Sequence, residues 1–264
     1  MSIDGITIHQ EDNYIVCYID NFSDELKELI RNELTFICHG KSIVQEDTLN
    51  FYSYPKTLKD FLSRYNNKTT KIKKGMLGEF IAHLIIDKVL PELEAISIFF
   101  NKEELSIKKG FDLNYVNSKA GSIWYGEVKA GELNGQTTPD RINKKLLGKA
   151  KDGLIEFLSG GRPNLWDSVI IDAGLSFKSP KSKKVQDLLR NDIRAIEDNP
   201  SIKKNSILIS VLFHNSQNRI TSDSVKQHLA DITAENVFLE VIVFSIQKST
   251  YTKIEEFLIA ESQG

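Results

Sequence analysis

The sequence predicts an α/β protein in which helices flank a central mixed sheet, and three observations carry that expectation. Between residues 74 and 213 the pattern reads helix, three strands, helix, strand, with one further helical insert before the last strand. Apolar residues at helical spacing (Met76, Leu77, Phe80, Ile81, Leu84, Ile85 and Val89) give way to short β-rich runs such as 207–213. Two of those runs, 110–116 and 122–129, are joined by the turn-forming stretch Asn117, Ser118, Lys119, Ala120 and Gly121, which marks an antiparallel hairpin.

Taken in chain order, a strand over 14–19 precedes a helix over 24–38 that Gly40 stops. Pro55 opens a short helix through Tyr65, and the polar residues 66–70 divide off an N-terminal α/β region, 1–70. The helix over 74–90 ends before Pro91, and a short apolar strand over 95–100 leads to the hairpin. Thr138 and Pro139 read as the N-cap and first-turn proline of a helix through Leu158, with Gly160 and Gly161 closing it. Residues 159–200 are less regular and hold one clear helix at 183–196, before a buried strand at 207–213. Residues 71–215 thus form the central region. A helix near Ser224, a strand at 237–244 and a helix from Thr252 make a C-terminal α/β extension, 216–264.

A chain of 264 residues with 41% hydrophobic and 27% charged content has the make-up of an ordinary soluble protein with a sizeable core. Its apolar segment at 80–90 is broken by His83 and Asp87 and falls short of the roughly 20 residues a bilayer span needs. No signal-peptide pattern opens the sequence, and Cys17 and Cys38 form no CxxC pair. Both observations point to a reducing, cytoplasmic setting without a membrane, and against a zinc or disulfide framework. The net charge of −2 excludes a uniformly basic nucleic-acid binder, but the cations are clustered. Lys73 and Lys74 lie in an acid-free stretch, and Arg141, Lys144, Lys145 and Lys149 follow the hairpin. Each cluster is either a solvated face or a set of phosphate contacts.

The chemistry concentrates in the hairpin. Glu127 and Lys129 project from one face of the second strand because side chains repeat every two residues. The hairpin partner brings Asp112 beside them. Two carboxylates and an ammonium on a rigid sheet are what metal-assisted cleavage of a phosphodiester requires. A second Glu-x-Lys, Glu25-Leu26-Lys27, lies on an amphipathic helix without a preceding Asp-bearing strand and reads as solvated. No Gly-x-x-x-x-Gly-Lys-Ser/Thr loop is present, so no nucleotide cofactor is expected in this chain. There is also no Gly-x-Ser-x-Gly elbow, and the five histidines show no ligand spacing.

With Asp112 on the second strand and Glu127-x-Lys129 on the third, the element order resembles the PD-(D/E)xK nuclease superfamily; Phe111 stands where its motif has proline. The stretches Lys73-Lys74-Gly75-Met76-Leu77-Gly78-Glu79, Gly110-Phe111-Asp112 and Gly126-Glu127-Val128-Lys129 further resemble the HamA family, nuclease subunits of Hachiman-type anti-phage systems. The resemblance implies a restriction-endonuclease-like αβββαβ core over 71–215, with Glu79 as an accessory acid on the helix before the sheet. It also implies a role in antiviral defence beside a helicase subunit.

On this reading Asp112, Glu127 and the Val128 backbone carbonyl hold Mg2+ or Mn2+, hard cations that prefer oxygen ligands. Glu79 holds a second metal or a metal-bound water. Lys129 orients the attacking water and stabilises developing charge. The expected function is a metal-dependent DNA nuclease. The alternatives are a non-catalytic DNA- or partner-binding module on the same fold, and a structure-selective repair nuclease.

Overall fold

Sixteen elements follow one another in the computed structural model, which describes residues 3–100, 112–133, 135, 137–159, 163–215, 217–249 and 251–263. They are β1 (Ile6–Glu11), β2 (Tyr14–Ile19), α1 (Asp24–His39), α2 (Lys41–Gln45), α3 (Tyr54–Asn66), α4 (Thr70–Val89), β3 (Glu94–Ala95) and β4 (Leu113–Asn117). Then come β5 (Ser122–Glu132), α5 (Pro139–Leu158), α6 (Pro163–Ser176), α7 (Lys181–Asp198), β6 (Asn205–Phe213), α8 (Ser222–Glu235), β7 (Val241–Lys248) and α9 (Thr252–Glu261). The strands form one mixed sheet in the order β1-β2-β7-β6-β5-β4-β3. Neighbours β2, β7, β6 and β5 run parallel, and antiparallel pairs close both edges.

Each face of the sheet carries its own apolar core, giving three layers. On one face Ile15, Cys17, Val128, Ile209 and Phe244 pack with α1, α3, α4 and α9. On the other Val16, Tyr125, Leu208 and Val243 pack with α5, α6, α7 and α8. The alternation of faces along β5 follows from the strand period of two. β6 is buried along its whole length, which explains its largely apolar run. No described helix is long and apolar enough to cross a membrane.

The predicted mixed α/β architecture is present, with local differences. β1 is an additional edge strand, paired to β2 through the two-residue turn Asp12-Asn13, in which Asp12 has φ 39°. Its exposed, polar residues carry little apolar periodicity. Of the strand expected at 95–100, Ala95 pairs with β4 alongside Glu94 ahead of it, and the Ile96 N–H donates to the Asn114 carbonyl at 2.7 Å. Beyond them the Phe99 and Phe100 N–H groups turn away and donate to the Ile37 and Cys38 carbonyls, satisfying the last turn of α1.

The expected insert of one helix is two, α6 and α7. α6 went unpredicted because apolar residues such as Leu165, Trp166, Val169, Ile170 and Ile171 surround it rather than lining one stripe. β7 begins four residues later than expected, since Asn236 ends α8 in the left-handed conformation and the next residues serve as connection. Gly110 and Phe111, placed in the first hairpin strand from sequence, lie outside the described residues, as do Gly160 and Gly161.

α4 approaches β5 so closely that a Cβ added at Gly78 would collide with the Ala130 Cβ. Alanine is the better helix former by about 1 kcal/mol, so a net loss on substitution would report the clash. Gly78→Ala is expected to cost about 1–3 kcal/mol in urea unfolding. Ala130→Gly in that background should return at least half of it; no recovery would place the close contact elsewhere.

Candidate active site

β4 pairs with β5 from Asn117↔Ser122 to Leu113↔Gly126 and then leaves it, while β5 continues to Glu132 beside β6. Past Gly126 the backbone of β5 on the β4 side therefore needs new partners. Asp112, just before β4, provides one: its Oδ2 accepts the Val128 N–H at 2.9 Å. N–H and C=O of one strand residue point to the same edge, so the Val128 carbonyl faces Asp112 as well.

Glu127 and Lys129 leave β5 on the α5 side of the sheet. Glu127 is 2% exposed, and its Oε1 accepts a hydrogen bond from the half-buried Lys129 Nζ. Its Oε2 is buried without a hydrogen-bond partner. Above it lies Gly153 of α5, where an added Cβ would stand 3.0 Å from Glu127 Oε1 and 3.5 Å from its Cδ. Nearer its start, α5 is anchored to the sheet by Asn143, 1% exposed, which donates to Ser245 Oγ at 3.0 Å and accepts from Ser210 Oγ. Ser210 is the register partner of Lys129 on β6, and Ser245 is the next one on β7.

Sequence reasoning missed Gly153 and Asn143. A glycine inside a helix, against its propensity, was the available signal for the first. A serine inside each apolar strand, Ser210 in β6 and Ser245 in β7, was the signal for the second.

Glu79, half-buried on α4, reaches the same group from the other layer. Its carboxyl is pushed well above the usual range by burial and by the charges of Asp112 and Glu127, against the pull of Lys129. Burial raises Asp112 to about 6, opposed by Lys129 and the Val128 N–H. Glu127 rises to about 8 through burial and then Asp112, against Lys129. Burial alone would lower the Lys129 ammonium, but Glu127, Asp112 and Glu79 more than reverse this. The structure thus brings Glu79, Asp112, Glu127 and Lys129 into one electrostatic unit in which like charges crowd each other.

The predicted cations divide in two. Lys73 pairs with Glu255 at 3.0 Å, Lys74 with Glu132, and Lys144 with Asp231 at 3.0 Å. Arg141, Lys145 and Lys149 are exposed on α5 and have no acidic partner at ion-pair distance among the described residues. They recur every four residues, and the next step of that row is Gly153, the residue over Glu127.

The residues suit a hard divalent cation. The donors are carboxylate oxygens and a strand carbonyl, without Cys or His, and one buried carboxylate oxygen lacks any partner. Among the described residues, no three His, Cys, Asp or Glu side chains already converge at metal-holding distance. Asp112 Oδ2 and Glu127 Oε1 are instead engaged by Val128 and Lys129.

A comparison with curated proteins finds none that matches the chain. The profile of the HamA family matches residues 3–261, nearly its whole length, which fits a component of a Hachiman defence system. The chain belongs to the HamA family.

Proposed function

We propose that this protein is a metal-dependent nuclease that hydrolyses DNA phosphodiester bonds, the effector subunit of an anti-phage complex. The observation that supports this most directly is the self-repelling carboxylate group, with Lys129 at its centre, on the stretch of β5 that β4 has left. A protein keeps such a group against its electrostatic cost where the charges serve chemistry. The order α4-β3-β4-β5-α5-β6, with β3, β4 and β5 antiparallel and β6 parallel to β5, supports reading this region as a restriction-endonuclease-like core of the PD-(D/E)xK type.

Asp112, Glu127 and the Val128 carbonyl would hold Mg2+ or Mn2+, with Glu79 supporting a second ion or a bound water. A cation there supplies Lewis-acid polarisation of the phosphate and a water of lowered pKa. Lys129, a compact donor, orients the attacking water and offsets the charge that grows on phosphorus-bound oxygen. Gly153 and α5 keep the Glu127 side of the site dry. Arg141, Lys145 and Lys149 meet backbone phosphates along α5 and lead the strand toward the site. The chain lacks a phosphate-binding loop, so a helicase subunit would supply the motor; family membership supports that pairing.

Glu127→Gln and Lys129→Ala are each expected to lower plasmid cleavage in magnesium by about 10²–10³-fold with unchanged circular dichroism. Equal degradation by the wild type and both variants would remove the proposal. Replacing Arg141, Lys145 and Lys149 together by alanine should weaken duplex binding and reduce the log–log salt slope by up to about 2.7. An unchanged slope would assign these side chains to solvent.

The cluster also makes the metal-free protein sensitive to pH. Glu127 titrates in the fold at about 8 and Asp112 at about 6, against roughly 4 when unfolded. Between pH 4 and 8 the folded state then holds more protons, so the contribution of the cluster to stability falls as pH rises. Glu127→Gln is expected to gain stability relative to wild type from pH 5 to 8. Added magnesium should raise the wild-type Tm more at pH 8 than at pH 6. Parallel pH profiles of the two proteins would contradict the assignment.

A further inference from the structure

Leu49 and Phe51, on the loop between α2 and α3, are 85% and 68% exposed. Apolar side chains scattered singly over a surface are ordinary, whereas neighbouring ones mark contact sites. The loop that carries this pair is held in one shape. Asp47 Oδ1 accepts the Leu49 N–H at 3.1 Å, and its Oδ2 accepts the Tyr52 N–H at 2.6 Å. Lys56 Nζ donates to the Asn50 carbonyl at 2.8 Å, and Asn50 takes the left-handed conformation with φ 53°. The Phe51 ring meets that of Tyr52 edge-on with centroids 5.1 Å apart, and Tyr52 packs on His39 at the end of α1. A loop fixed in this way loses little freedom on binding.

Beside it lies a matching depression. Glu46 Oε1, at the base of the loop, stands 3.7 Å from Lys178 Nζ, and two residues further on Pro180 enters an apolar groove of about 610 Å³. The groove runs between the β4–β5 turn and the start of α7, where Val116, Pro180, Val185 and Leu188 line it. The charges of loop and groove are opposite. Glu46 and Asp47 open the loop, and Lys181 and Lys184 border the groove. Lys181 pairs with Glu94, and Asp187, also at the groove, pairs with Arg190 at 3.1 Å. Lys184 is exposed and has no acidic partner at ion-pair distance among the described residues.

We propose that two copies of this chain pair about a two-fold axis, each inserting Leu49 and Phe51 into the groove beside Pro180 of the other. A protrusion next to a depression is self-complementary under such a rotation, because each copy offers both halves of the contact and both are made at once. The two apolar side chains are the desolvated anchors, and the acids at the base of the loop face Lys184 of the other copy. The pairing engages the turn at Ser118 and Gly121, the end of the hairpin away from Asp112. It does not rest on the nuclease assignment.

Sedimentation velocity of the full-length protein from about 1 to about 100 µM is expected to show a concentration-dependent dimer, as befits a contact with few anchors. Leu49→Ser with Phe51→Ser, and separately Lys184→Glu, are each expected to lower the association at least about tenfold with unchanged circular dichroism. All three side chains are exposed, so the fold should tolerate these changes. Mixing the loop variant with the groove variant restores one intact contact per pair and should give more dimer than either protein alone. A chain that stays monomeric throughout overturns the proposal and leaves the loop to a partner of another kind. Association untouched by the substitutions, or no gain on mixing, overturns it as well.

Discussion

The hydrogen bond from the Val128 N–H to Asp112 Oδ2 governs the geometry of the candidate site, because it answers a backbone requirement as well as a chemical one. The described β4–β5 ladder ends at the Leu113↔Gly126 pair, and the Val128 N–H beyond it donates to the Asp112 side chain. A buried amide without an acceptor costs about 1–3 kcal/mol. Accepting it fixes Asp112 beside Glu127 and Lys129. The place where pairing ends and the place where the carboxylates gather are therefore one and the same. The same bond favours the ionised form of Asp112 against the effect of burial.

Ionised Glu127 is the costliest member of the group. It is closed over by Gly153 and repelled by Asp112, and only one of its oxygens is engaged, by Lys129. Pairing with Lys129 recovers part of the desolvation cost. The second oxygen stays without a partner, and a neutral side chain of similar shape would pack there with less penalty. The surrounding fold bears this cost through two apolar cores on either face of a seven-stranded sheet. Stability is spread through the layers, while the charges are confined to the few residues around Asp112 and Glu127.

The sequence made legible those parts in which local pattern and tertiary role agree. The hairpin, the Thr138-Pro139 start of α5 and the buried run of β6 are set by turn chemistry, capping and apolar content, and all are present. The short spacing of Asp112, Glu127 and Lys129 was readable because the strand period and the turn fix their relation. What eluded pattern reading depends on contacts remote in sequence. Residues 96–100 carry strand-forming side chains, yet the Ile98 N–H donates to Asp172 and those of Phe99 and Phe100 cap α1 instead of extending the sheet. α6 packs on more than one side and so lacks an apolar stripe. The engagement of Lys73, Lys74 and Lys144 by acids lay equally out of reach, since Glu255, Glu132 and Asp231 are 182, 58 and 87 residues away.

Glu79 and Glu127 reach each other from opposite layers. Gly78 seats α4 against Ala130 on one face of β5, and Gly153 seats α5 against Glu127 on the other. Their charges act on one another, and Asp112, whose Oδ2 accepts the Val128 N–H, stands between them at the end of the described β4–β5 ladder. Glycine at both points of closest approach lets α4 and α5 come close to β5 itself. The position of Glu79 beside the site thus depends on these small residues as well as on the carboxylates, since a bulkier side chain at Gly78 would have to push α4, and Glu79 with it, away from β5.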